Sequence, residues 1–194
     1  MKKLSVLFVG NSYTYYNEMP KKIFLSLATE AGYDIEVTQI TKGGYRLCQF
    51  ADPNNEEGIR LREAIRGVHY DYAVLQEQSV NPIKNEEQFL DGVRDVMSLI
   101  SAEQFVLYAT WGRNDGSIKL EELGLSTEEM TDRLSEAYNK AAVMFGARVA
   151  EVGKAFSAYA AEHDRSELYN PDNSHPSEIG SRIAARVIFD LISN

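Results

Sequence analysis

The sequence predicts an α/β protein: a three-layer α/β/α sandwich around a mostly parallel, roughly five-stranded sheet. Two observations carry that prediction. Short apolar runs of strand length recur along the chain and alternate with longer stretches whose apolar residues fall at helical spacing. The unusual polar residues gather directly after the apolar runs, beyond the carboxyl ends of the strands, where open α/β sheets place their sites.

Leu4 to Val9 is continuously apolar, as expected of a strand covered on both faces. Asn17 is a candidate helix cap and Pro20 suits a first turn; Ile23, Phe24, Leu27, Ala28 and Ala31 follow at helical spacing, and Gly32 ends the element. Ile35 to Ile40 reads as the second strand and runs into Gly43-Gly44. Asn54 to Arg66 is a weakly amphipathic helix carrying Ile59, Leu61 and Ile65. Tyr72 to Leu75 begins the third strand and leads into Gln76-Glu77-Gln78-Ser79. Glu86 to Ile100 is a helix with Phe89, Val93 and Val96 inward, and Phe105 to Ala109 is the fourth strand, leading into Trp111. A polar loop extends to about Leu125. Ser126 or Thr127 then caps a helix reaching Phe145, with Glu129 in capping-box position. Ala147 to Val152 is the fifth strand. Ile179, Ile183, Val187, Ile188 and Leu191 mark the last helix. Without repeat, linker or low-complexity segment, residues 1–194 are expected to form one domain.

Composition narrows the function classes. A formal charge of −9 argues against nucleic acid as a partner, because its phosphates would be repelled. No apolar run approaches membrane-spanning length, so no membrane insertion is expected, and the default expectation for location is the cytoplasm. The single cysteine, Cys48, excludes an intrachain disulfide and a cysteine-based metal site. Asp172, His175 and Glu178 would be a metal set only with further histidine support, which the sequence does not offer. No metal or cofactor is expected.

The chemistry concentrates in two places. Asp172-Asn173-Ser174-His175-Pro176 sets a carboxylate three residues ahead of an imidazole, on a turn entering a helix. An Asp that accepts from one ring nitrogen fixes the tautomer and leaves the other nitrogen as a base. Such a base needs a nucleophile, and Ser12 in Gly10-Asn11-Ser12-Tyr13-Thr14, directly after the first strand, is the candidate. A serine at a strand end is commonly only a turn or capping residue. The ordered series of serine, glycine, polar strand end and Asp-x-x-His changes that balance. The elbow with Gly on both sides of the Ser is absent, so the fold built around it is not supported.

On these motifs the chain resembles the SGNH hydrolases, the GDSL-type esterases. Gly10-Asn11-Ser12 is similar to their first block, with Asn11 where Asp is more usual, and Gly44 sits where the second-block glycine is expected. Asp172 to Pro176 matches the last block closely. The third block departs from Gly-x-Asn-Asp: here Gln76-Glu77-Gln78-Ser79 stands in its place. The resemblance implies a flavodoxin-like sheet order, Ser12 as nucleophile, His175 as base and Asp172 as its orienting carboxylate. It implies an oxyanion hole from the N–H groups of Ser12 and Gly44 and the amide of Gln78, with Gln76 the rival for that last role. Tyr13, Tyr45 and Trp111 follow strand ends and are candidate substrate-binding residues, although aromatic residues at a sheet rim equally serve packing. The expected activity is hydrolysis of carboxylic esters, above all small acyl groups such as acetyl on a carbohydrate or similar small substrate. The alternatives are a lipase or thioesterase for longer chains, or a weakly catalytic binding module on the same scaffold.

Overall fold

The computed structural model describes residues 2–193. Its centre is a parallel sheet of five strands in the order β2-β1-β3-β4-β5, formed by β1 (Lys2–Gly10), β2 (Tyr33–Thr41), β3 (His69–Leu75), β4 (Ser101–Ala109) and β5 (Arg148–Glu151). The doubly wound sheet expected from the alternating pattern is therefore present, in the order typical of flavodoxin-like folds.

The side-chain period of two explains why β1 had to be apolar throughout. Val6 and Phe8 face one core, together with Val74, Val106, Tyr108 and the last helix, α10 (Glu178–Ser193). Leu7 and Val9 face the other, with Leu75, Leu107 and the helices α3 (Leu47–Ala51), α6 (Glu86–Leu99) and α8 (Thr127–Phe145). Each core is a layer boundary, so one strand serves both.

Several elements differ in detail from expectation, for identifiable reasons. Ser126 caps α8 with Glu129 returning the bond, as the capping-box pattern implies. Asn17 is not a cap. It lies at φ 54 beside Glu18 at φ 53, and the chain enters a π-helical stretch, Met19–Phe24, before α2 (Leu25–Glu30). The polar loop expected up to Leu125 contains a short helix, α7 (Ile118–Leu123), and a further helix, α9 (Val152–Ala160), begins at the last residue of the expected fifth strand. Ile59 and Ile179, expected inward, are exposed, while Leu61 and Ile188 on the same helices are buried. Short segments also form helices at α1 (Ser12–Tyr15), α4 (Glu56–Ile65) and α5 (Asn81–Lys84).

β1 is flanked by β2 on one side and β3 on the other, so the chain leaves it in opposite directions. That is the switch point of the sheet, and the segments following β1, β2 and β3 meet beyond its carboxyl edge.

Candidate active site

Beyond that edge, Ser12 opens α1 with Asn11 as its cap. The Asn11 side-chain oxygen accepts from the Tyr13 N–H at 3.1 Å, and its amide donates to the Tyr45 carbonyl at 3.0 Å. The turn before Ser12 is pinned from β3. Gln76, fully buried, accepts the Asn11 N–H at 2.8 Å and the Thr14 hydroxyl at 2.9 Å, and its amide nitrogen donates to the Glu77 carbonyl. Gly10 is needed here because a Cβ would lie 2.5 Å from the Thr14 hydroxyl and 2.8 Å from the Gln76 oxygen.

His175 comes from the loop before α10. Its Nε2 lies 2.8 Å from the Ser12 hydroxyl, across a sequence separation of 163, and its Nδ1 is hydrogen-bonded to Asp172. Asp172 also accepts the backbone N–H groups of Ser174 at 3.0 Å and His175 at 2.9 Å. Burial works against its charge, but these bonds, the His175 ring first among them, hold the carboxyl below its ordinary value. With Nδ1–H directed at Asp172, Nε2 is left to accept the Ser12 hydroxyl proton, which is the arrangement an activated serine needs.

Gly44 sits at φ 74 in a turn closed by the Tyr45 N–H on the Lys42 carbonyl at 3.2 Å. Added there, a Cβ would meet nothing within 4 Å, so the glycine serves backbone conformation rather than space. Neither the Gly44 nor the Ser12 N–H has a hydrogen-bond partner among the described residues. The Gln78 side-chain oxygen accepts the N–H groups of Val80 at 3.0 Å and Asn81 at 3.1 Å, while its nitrogen makes one long contact, 3.4 Å, to the Ser79 hydroxyl. Of the two rival amides, Gln76 has its nitrogen engaged internally, and Gln78 keeps donor capacity.

The aromatic residues divide. Tyr45 is half-buried with its ring edge-to-face on Phe50. Trp111 is a correction: it is fully buried, stacked between Tyr13 and Phe156, and its indole N–H donates to the Ser174 carbonyl at 3.1 Å. Tyr13 is also buried, with its hydroxyl 2.7 Å from the Ser174 hydroxyl, so neither ring offers a substrate much surface. Both instead brace the His175 loop from beneath. Aromatic residues after strands are compatible with either place, and the sequence held no signal to choose.

Three contributors were not singled out from sequence. Tyr16 stacks on the His175 ring with centroids 4.3 Å apart and 15° between planes. Asn17 donates to the Pro176 carbonyl at 3.0 Å and the Ser181 hydroxyl at 2.8 Å. Arg113 donates to Ser79 at 2.9 Å. Only Asn17 carried a usable hint, since Asn tolerates the left-handed region better than most residues. Beyond Tyr16 a groove of about 800 Å³ runs between the π-helical stretch, α2 and α10, lined by Tyr15, Tyr16, Ile23, Leu27, Arg182 and Arg186 among others.

A switch-point site holding a hydroxyl–imidazole–carboxylate chain defines a class, the hydrolases built on a doubly wound parallel sheet. A solved structure from Slackia heliotrinireducens, described as an SGNH hydrolase, matches with a TM-score of 0.84 and 33% identity, covering 97% of this chain and 98% of that one. The chain belongs to the SGNH hydrolase family. More distant likenesses show the fold alone. A GDSL-like lipase from Parabacteroides merdae gives TM-score 0.71 at 14% identity, covering 99% of this chain and 96% of that one. A carbohydrate acetylesterase family member from Sinorhizobium meliloti gives 0.65 at 12%, covering 99% and 97%. No protein-family model matches the sequence, and no curated protein matches it either.

Proposed function

We propose that the protein is a serine esterase that cleaves small acyl groups, acetyl foremost, from a carbohydrate or similar small alcohol. The observation that carries the reading is the unbroken chain Ser12–His175–Asp172, with Nε2 at 2.8 Å from the Ser12 hydroxyl. In this reading Ser12 attacks the ester carbonyl while His175 takes its proton, and the imidazolium is stabilised by Asp172. The tetrahedral oxyanion is received by the Ser12 and Gly44 N–H groups and the Gln78 amide. His175 then protonates the departing alcohol, and water repeats the sequence to release the acid. No step calls for a metal or cofactor. The preference for a small acyl group is supported by the polar residues that follow β2 and β3, Lys42 to Gly44 and Gln76 to Ser79. The groove beyond Tyr16, with its aromatic and charged walls, suits the alcohol side.

A fluorophosphonate probe, followed by peptide mapping and paired with ester turnover, tests this. The expected result is one label, on Ser12, with 4-nitrophenyl acetate cleaved well ahead of the octanoate ester and Ser12→Ala inert towards both. Labelling at Ser79 or Ser174 would remove Ser12 from its role. Equal or reversed ester rates would move the reading to lipase or thioesterase.

A further inference from the structure

The reaction just described makes no use of one buried ionisable side chain. Glu77 has no exposed surface, yet it lies one residue from Gln78 and behind the loop that carries Gly44. One carboxylate oxygen accepts the Gln78 N–H at 2.6 Å, and the other accepts the Leu47 N–H at 3.2 Å. Its own backbone N–H donates to the Tyr138 hydroxyl from α8 at 3.0 Å. The two side-chain bonds thus join two separate loops. Leu47 follows the Gly44 turn after β2, and Gln78 follows β3. Between Gly44 and Leu47, the Asn11 amide holds the Tyr45 carbonyl.

We propose that Glu77, as a carboxylate, is a positioning residue that sets the spacing between the Gly44 and Gln78 sides of the oxyanion hole, an inference resting on the serine-esterase reading above. A carboxylate is the one side chain of this size that accepts at both ends. A Gln in its place would turn an NH₂ towards one of the two N–H donors and release that loop. An aspartate is one methylene too short to span both.

The surroundings support a positioning rather than a stabilising role. Burial dominates and pushes the Glu77 carboxyl up to about 7, against the opposing pull of the Gln78 and Leu47 N–H groups. The charged and titratable neighbours are few: Arg46 and Cys48 at the start of α3, and Tyr138 from α8. From α5 the Asn81 side chain lies against the carboxylate, although its nitrogen forms no well-shaped hydrogen bond. None supplies a full ion pair among the described residues. A buried carboxylate of this kind costs stability, so its return lies in geometry.

The test compares wild type with Glu77→Gln using 4-nitrophenyl acetate, phenylboronic acid as a tetrahedral analogue and the fluorophosphonate label. Expected is a fall in kcat of roughly 10- to 100-fold with KM nearly unchanged, because a displaced donor is felt mainly in the transition state. The boronate should weaken in step, and the label should still map to Ser12. In wild type, kcat/KM should lose a contribution as pH drops through about 7, where Glu77 takes up a proton, and Glu77→Gln should lack that contribution. Unchanged kcat and boronate affinity with Ser12 labelled would overturn the clamp and leave the esterase reading standing. If Glu77→Gln does not fold, Glu77→Asp, one methylene short of reaching both N–H groups, takes its place with the same expected losses and the same overturning result. A label on another serine would overturn both proposals together.

Discussion

Gln76 and Gln78 carry the same amide and use it in opposite ways. Gln76 turns both ends inward: its oxygen holds the Asn11 N–H and the Thr14 hydroxyl, and its nitrogen goes to the Glu77 carbonyl. Gln78 anchors its oxygen on two backbone N–H groups, which aims the nitrogen away from them. Replacing each by Ala should therefore give different signatures. Gln78→Ala should lower kcat and kcat/KM together by about 100-fold, the loss typical of one oxyanion donor, with a smaller stability loss than Gln76→Ala because the Asn81 N–H keeps the residue-78 carbonyl as acceptor. Gln76→Ala strands buried donors on the Ser12 turn and should cost about 1–3 kcal/mol of stability as well as activity. Equal stability losses in the two variants would end the distinction. Asn11 shows the same economy: an Asp there would still accept from Tyr13, but would set a carboxylate against the Tyr45 carbonyl that Asn11 now satisfies.

The segment between α1 and α2 links the nucleophile turn to the loop that carries His175. Tyr16 covers the imidazole, and Asn17, at φ 54, reaches the Pro176 carbonyl next to it. Asn17→Gly keeps the left-handed backbone and loses the side-chain bonds; Asn17→Ala loses both. Both variants should turn over ester more slowly, and Ala should be less stable than Gly by about 1 kcal/mol in urea unfolding. A Gly variant as active as wild type would show that the bonds to Pro176 and Ser181 do not matter. This segment also marks the limit of what the chain declares in advance. The strands were legible because a sheet buried on both faces demands apolar runs, and Ser126 with Glu129 announced α8 through local capping chemistry. Ser12, Asp172 and His175 were legible as motifs. Asn17 looked like a cap because its local signal is that of a cap, while its actual partners are the Pro176 carbonyl just before α10 and the Ser181 hydroxyl within it. Trp111 and Tyr13 likewise took their places from packing against Phe156 and Ser174, which no local pattern encodes.

At the scale of the molecule, the sheet order brings the segments after β1, β2 and β3 together, and the same convergence buries Glu77 between two of them. The consequence extends to stability. In the unfolded chain this carboxyl has an ordinary value near 4.5, and in the folded protein it is pushed up to about 7. Between those values the native state holds a proton that the unfolded state has released, so raising the pH favours unfolding. The contribution is favourable below 4.5 and is lost as pH climbs through about 7. Asp172, held low, has the opposite sign: its contribution is present above the ordinary carboxylate range and lost on acidification. Removing the Glu77 charge should therefore matter most at high pH. The stability of Glu77→Gln minus that of wild type should move in the variant's favour from pH 5 to pH 8, with an upper bound of about 3 kcal/mol. The lost hydrogen bond adds a constant offset of either net sign, so the diagnostic is the slope with pH, read from urea unfolding at matched ionic strength. A variant that gains relative stability above pH 7 while losing turnover would separate a positioning carboxylate from a structural one. A flat difference would mean that Glu77 ionises near its ordinary value, and its contribution to the wild-type activity profile near pH 7 would disappear with it.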